Sequence, residues 1–198
     1  LHRAGHILGA AFAEIRYRDD GSDWKTVVFS GDMGRRGVPI LKDPSPLPAC
    51  DVLVCESTYG DRLHEATDPK EQLRRELEEA FRRGGVTVIP AFAVGRTQEV
   101  LYHLFELFEE GRLPKVPVFV DSPMANSVVE LYCRYESEHD VEMNALEEAA
   151  GSPLQTPYFT VVRKREDSKR LNDHPGPAVV ISASGMATGG RVLHHLYH

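Results

Sequence analysis

The chain has 198 residues, 41% of them hydrophobic and 27% charged, and a formal net charge of −7. That length suits one large domain or parts of two, and the composition is ordinary for a globular protein. The negative balance excludes a protein that holds nucleic acid by bulk electrostatics alone, and no run approaches the roughly 20 apolar residues of a membrane span. No secretory leader is visible. The first residue is not Met and GGRVLHHLYH stops inside a helical pattern, so the chain reads as an internal piece of a longer protein. Cys50, Cys55 and Cys133 have no CxxC spacing and read as reduced, buried thiols in a cytosolic setting.

In chain order, AGHILGAA forms a glycine-flanked loop, after which AFAEIRY alternates apolar and polar residues. DDGSD then supplies turn chemistry and WKTVVFS resumes strand character, which together predict a hairpin. SGDMGRRG is a glycine-bounded loop, KDPSPLP a connector, and DVLVCES a buried strand ending at Glu56. The composition changes after Asp61. DPKEQLRRELEEAFRRGG predicts a helix with Leu73, Leu77, Ala80 and Phe81 on one face, begun by Asp68 and Pro69 and stopped by Gly84 and Gly85. From there strands and helices alternate: VTVIPAF with GRTQEVLYHLFELFEEG, VPVFVDS with PMANSVVELYCRY, a polar stretch over 136–173, then AVVISASG with GGRVLHHLYH. Near-continuous apolar strands between amphipathic helices predict an α/β fold with a mostly parallel sheet covered on both faces. A domain boundary is expected near residues 60–70.

Ligands in such folds gather beyond the carboxyl ends of the strands. CESTYGD, AFAVGRTQE, DSPMANS and SASGMATGGR stand there. The last joins Ser182, Ser184, Thr188 and Arg191 to a glycine-rich helix start, either a phosphate cradle or a tight turn. Arg96 is either a phosphate clamp or a cap with a surface salt bridge. His6 reads as a backbone-bonded loop histidine or a ligand, and Asp32 as a turn former or a ligand. Glu56, at the end of an apolar run, needs a partner or costs several kcal/mol. His194 and His195 point about 100° apart on a helix and cannot easily share one metal; at most one is expected to function. His64, His103, His139 and His174 show no ligand spacing, and RKRED at 163–167 reads as a solvated helix start.

The ordered set AGHILGAA, FSGDMG, ESTYGDR, IPAFAVGRTQE, DSPMA and SASGMATGGRVLHHL resembles the β-CASP branch of the metallo-β-lactamase superfamily over essentially the whole chain. That branch includes the RNase J nucleases and the nuclease subunit of the mRNA 3′-end cleavage machinery, and this chain looks closest to prokaryotic relatives of that subunit. The resemblance implies part of an αββα metallo-β-lactamase sandwich at residues 1–62, followed by a truncated β-CASP domain at 63–198. It also implies two zinc ions in the full-length protein. His6 matches a ligand to one zinc and Asp32 the carboxylate bridging both. Glu56 matches an acid that hydrogen-bonds a downstream histidine. The SASGMATGG loop lies on the RNA side of the family's cleft. The HxHxDH motif, which supplies most metal ligands, would lie upstream, and two later histidines downstream. The piece alone therefore offers too few ligands for two metals.

The expected function is zinc-dependent hydrolysis of RNA phosphodiesters, internally, from the 5′ end, or both. Asp32 and Glu56 are the expected catalytic carboxylates and His6 and Asp32 the metal ligands. Ser184, Arg96 and Arg191 are candidates for backbone phosphates. Single-stranded RNA is the expected partner in the cytoplasm, with a homodimer left open and no membrane. The rivals are a small-molecule hydrolase of the same superfamily and a non-catalytic RNA-binding subunit that has lost its metal.

Overall fold

The computed structural model describes residues 1–63 and 67–198; His64 lies outside the described residues. The chain divides into two compact units, Leu1–Glu65 with Ser137–Met143, and Ala66–Glu136 with Asn144–His198.

In the first unit, β1 (His2–Arg3), β2 (Ala11–Tyr17), β3 (Lys25–Phe29) and β4 (Val52–Val54) form one sheet in that order. The hairpin stands where turn chemistry puts it. β2 and β3 pair antiparallel, with Ala13 opposite Phe29 and Tyr17 opposite Lys25. The Asp19 carbonyl accepts the Ser22 N–H at 3.0 Å within the turn. Alternation then sends Phe12 and Val28 inward, where with Ala4 they form a small fully buried core. β4 runs parallel to β3, pairing Val28 with Leu53. The expectation of a buried strand needs correction: β4 ends at Val54, and Val52, Leu53 and Val54 are all exposed. Among the described residues β4 pairs only with β3, and residues 1–63 contribute no helix to cover the sheet. Cys50 and Cys55 flank this strand and share its exposure, against the expected burial, while Cys133 is half-buried; all three are free thiols.

Ser137–Met143 completes the unit. Leu41 bridges His139 antiparallel, the Asp140 N–H donates to the Ile40 carbonyl at 2.9 Å, and the Lys42 N–H to the Glu138 carbonyl at 3.0 Å. His139, Ile40 and Met143 are fully buried there. His139, which lies in a polar stretch of sequence and shows no ligand spacing, is thus part of a core.

The second unit is the parallel sheet. β5 (Val86–Pro90), β6 (Val118–Asp121), β7 (Phe159–Val161) and β8 (Ala178–Ser182) lie in the order β5-β8-β6-β7, with every pair parallel. All five residues of central β8 are buried, although successive side chains point to opposite faces, so both faces are covered. The helices of this part of the chain are α1 (Pro69–Arg82), α2 (Arg96–Glu109), α3 (Pro123–Arg134), α4 (Val141–Ala150), α5 (Arg165–Arg170) and α6 (Val192–Tyr197), of which α4 begins in the first unit. α1 starts as its sequence directs: the Asp68 carboxylate accepts the Lys70 N–H at 2.9 Å and Pro69 takes the first turn. α2 buries Leu101, Leu104, Leu107 and Phe108, each worth about 1.5–3 kcal/mol of transfer free energy.

Candidate functional site

The first unit gathers its candidates on three loops at the strand ends. His6 lies between β1 and β2, Asp32 just after β3, and Glu56 two residues beyond β4. The first two loops touch through glycine. The Gly34 N–H donates to the Ala4 carbonyl at 2.8 Å, and a Cβ at Gly34 would collide with the Gly5 carbonyl and the His6 N–H. Only a residue without a side chain lets the GDMG turn lie this close to the loop that carries His6.

Glu56 ties the second loop to the third. Its Oε1 accepts the Met33 backbone N–H at 2.6 Å, its Oε2 accepts the Thr58 hydroxyl at 2.8 Å, and its own N–H donates to Ser30 Oγ at 3.0 Å. The Met33 N–H, then Thr58, hold the Glu56 carboxyl below the usual carboxylate range against a small opposing effect of burial, and nearby His6 adds to the lowering. The half-buried carboxylate therefore has the partners its position demands.

His6 and Asp32 are different. Both are exposed, and among the described residues neither side chain has a hydrogen-bond or ion-pair partner. An imidazole nitrogen and a carboxylate held open on touching loops are suitable donors for a divalent metal. Yet among the described residues no group of three His, Cys, Asp or Glu side chains is placed to hold a metal ion. The donor chemistry fits two members of a larger ligand set.

In the second unit the carboxyl ends of β6 and β8 carry a buried ionic cluster that sequence reasoning missed. Asp121, the last residue of β6, is fully buried. Its Oδ1 accepts Arg191 at 2.6 Å; its Oδ2 accepts the Ser168 hydroxyl at 2.6 Å and lies 2.7 Å from His195 Nε2. Burial alone would raise this carboxyl, but His195, Ser168 and Arg191 together hold it below the usual range. Arg191 also donates to the carbonyls of Val162, at 3.3 Å, and Arg163, at 3.0 Å. In Arg191, the candidate for an RNA phosphate, the guanidinium nitrogens Nη1 and Nη2 are engaged inside the protein. Arg96 pairs with Glu99 one turn along α2 at 2.7 Å, the surface salt bridge that was its alternative reading. Ser184 is half-buried on the glycine loop, and among the described residues its hydroxyl has no partner. A signal for His195 was present: it stands three residues after fully buried Val192, on the same helix face.

A sequence profile of the Beta-Casp domain matches residues 97–198. The chain belongs to the β-CASP branch of the metallo-β-lactamase superfamily. Its α/β architecture is that of a fragment of this family's fold, and β-CASP membership implies metal dependence. The chain is 42% identical over 200 residues to Ribonuclease TTHA0252 of Thermus thermophilus, covering 99% of this chain and 44% of that protein. It is 31% identical over 201 residues to the transcription termination factor FttA of Methanosarcina mazei, covering 98% and 31% respectively. It is also 31% identical over 201 residues to an RNase J-like protein of Methanocaldococcus jannaschii, covering 99% and 44%. The β-CASP chain thus spans less than half the length of these curated relatives. Among its described residues no helix is long and apolar enough to cross a membrane.

Proposed function

We propose that this chain is part of a metal-dependent ribonuclease, with residues 1–62 supplying part of the metallo-β-lactamase domain and 63–198 most of the β-CASP domain. The observation that carries the reading is the pairing of a well-anchored Glu56 with an uncommitted His6 and Asp32 on touching loops. His6 and Asp32 would hold metal together with ligands from outside this chain. Zinc bound there would polarise the scissile phosphodiester and favour ionisation of the attacking water.

Glu56 acts through the backbone. By accepting the Met33 N–H it fixes the turn that presents Asp32. A carboxylate offers about four acceptor sites, so the same group can also orient a histidine, as the family resemblance implies. In the second unit, Ser184 on the glycine loop supplies a hydroxyl for the RNA backbone, while exposed Arg96 adds positive charge. The same proposal carries zinc as the metal, two ions per protein, single-stranded RNA as substrate and a cytoplasmic setting. RNAs with blocked and free 5′ ends separate internal cleavage from trimming.

In the full-length protein, Asp32→Ala should lower RNA cleavage by at least about a thousandfold and leave RNA affinity within about twofold. Near-normal turnover in that variant overturns the ligand assignment. The rival reading is a non-catalytic RNA-binding subunit that has lost its metal. Wild-type protein that binds RNA but shows no chelator-sensitive cleavage decides for it.

A further inference from the structure

The Asp121 cluster has a direction that its contribution to stability does not explain. Replacing a buried ion pair by apolar side chains of similar volume is often neutral for stability. The strand that ends at Asp121 already has Val118 and Val120 in the core. What Asp121 adds is a fixed geometry for one segment. Two of its three partners, Arg191 and His195, lie just beyond the SASGMATGG loop, at and within the start of α6. The third, Ser168, is on α5. The His195 side chain is 3% exposed, and its Nδ1 lies 2.8 Å from Asn172 Oδ1, beyond α5. Ser182 Oγ, at the entrance to the loop, donates to the Asp121 carbonyl at 3.1 Å. Both ends of the glycine loop are therefore tied to one residue. Within the loop the Ser184 N–H donates to the Gly189 carbonyl and the Val192 N–H to the Ala183 carbonyl, each at 3.2 Å. Gly190, at φ +82°, has the Ala183 carbonyl where a Cβ would stand. The chain is drawn shut at its neck while Met186 and Thr188 stay exposed.

We infer that Asp121 is a positioning residue for the glycine loop: it binds Arg191 and His195 on the protein side and thereby fixes where Ser184 meets the RNA backbone. Arg191 then touches no phosphate. This inference rests on the ribonuclease reading above.

The test uses full-length protein and a single-stranded RNA, and compares wild type with Asp121→Asn, Arg191→Gln, Arg191→Lys and the double variant Asp121→Asn/Arg191→Gln. The readouts are RNA affinity across salt concentrations, KM and kcat, and the thermal midpoint. Asp121→Asn and Arg191→Gln should each raise KM about tenfold, and the double variant no more than the worse single one, because both break one connection. kcat should change less than about twofold, as for lost binding contacts. The slope of log affinity against log salt should match wild type in every variant, since no phosphate contact is removed. A slope reduced by about 0.7 in Arg191→Gln means that Arg191 touches a phosphate and overturns the inference. So does a lowered thermal midpoint with KM unchanged, the mark of a purely structural role. If Asp121→Asn does not fold, the Arg191 pair decides: Arg191→Lys keeps a charge opposite Asp121 and Arg191→Gln does not, so a KM in Arg191→Gln equal to that of Arg191→Lys and of wild type overturns the proposal. Wild-type protein that neither binds nor cleaves RNA removes the ribonuclease reading itself, an outcome distinct from variants that behave like a functioning wild type.

Discussion

The two units treat polar side chains in opposite ways. At the strand ends of the mixed sheet, His6 and Asp32 stand exposed and without protein partners. At the carboxyl edge of the parallel sheet, Asp121 and His195 are as polar, yet buried and bonded on every side the geometry allows. The difference lies in solvent. A carboxylate in water needs no partner, so nothing compels the protein to supply one, and it remains available to a ligand. A carboxylate out of water must be matched by the protein itself or it destabilises the fold. Residues of the first kind can serve chemistry directly; those of the second can serve it only by holding others in place.

The comparison can be broken most severely at Asp32. Asp32→Ala should remove at least about three orders of magnitude of cleavage while the thermal midpoint of the apo full-length protein moves by no more than about 1–2 °C, because exposed substitutions change stability little. A large loss of stability would mean that Asp32 is structural after all. Asp121→Ala should do the reverse, costing about 3–5 kcal/mol in urea unfolding by stranding Arg191 and His195. The same residue has a pH signature. Because its carboxyl is held below the usual range when folded, its stabilisation is complete above that range and is lost as pH falls below it. Unfolding at pH 7 and at about pH 3 should therefore differ less in Asp121→Asn than in wild type.

Glu56→Gln tests the intermediate case. Losing the charge on the bond to Met33 should cost about 1–2 kcal/mol and lower cleavage about 10–100-fold, the range for a group that orients a metal ligand. An effect on stability without one on cleavage would make Glu56 a loop anchor only. The smallest effect belongs to the surface. Arg83→Ala, which removes the exposed pair with Glu79, should change stability by no more than about 0.5 kcal/mol, measured by the same urea titration.

Much of the architecture was legible because local rules and tertiary packing agree. The DDGSD turn lies between β2 and β3, and Asp68 and Pro69 begin α1 as capping chemistry requires. The apolar run AVVIS became the central strand of a parallel sheet. VLVC misled for a related reason: an apolar run implies burial only if something covers it, and β4 is covered by no element of residues 1–63. Cys50 and Cys55 followed it into solvent.

For the site, sequence by itself determined the family, the alternation of strands and helices, and the loops that carry His6, Asp32, Glu56 and Ser184. These depend on residue types at short spacings, and short spacings are properties of the chain. Tertiary structure alone decided which polar groups are occupied. Asp121 and Arg191 are 70 residues apart, and Asp121 and His195 are 74 apart. No local pattern says that the parallel order of β6 and β8 will bring them within hydrogen-bonding distance. Arg191 reads as a free cation in a glycine-rich loop until that order places a buried carboxylate beside it. Burial then makes the pairing obligatory, because a charge removed from water is tolerated only where the fold supplies its partner.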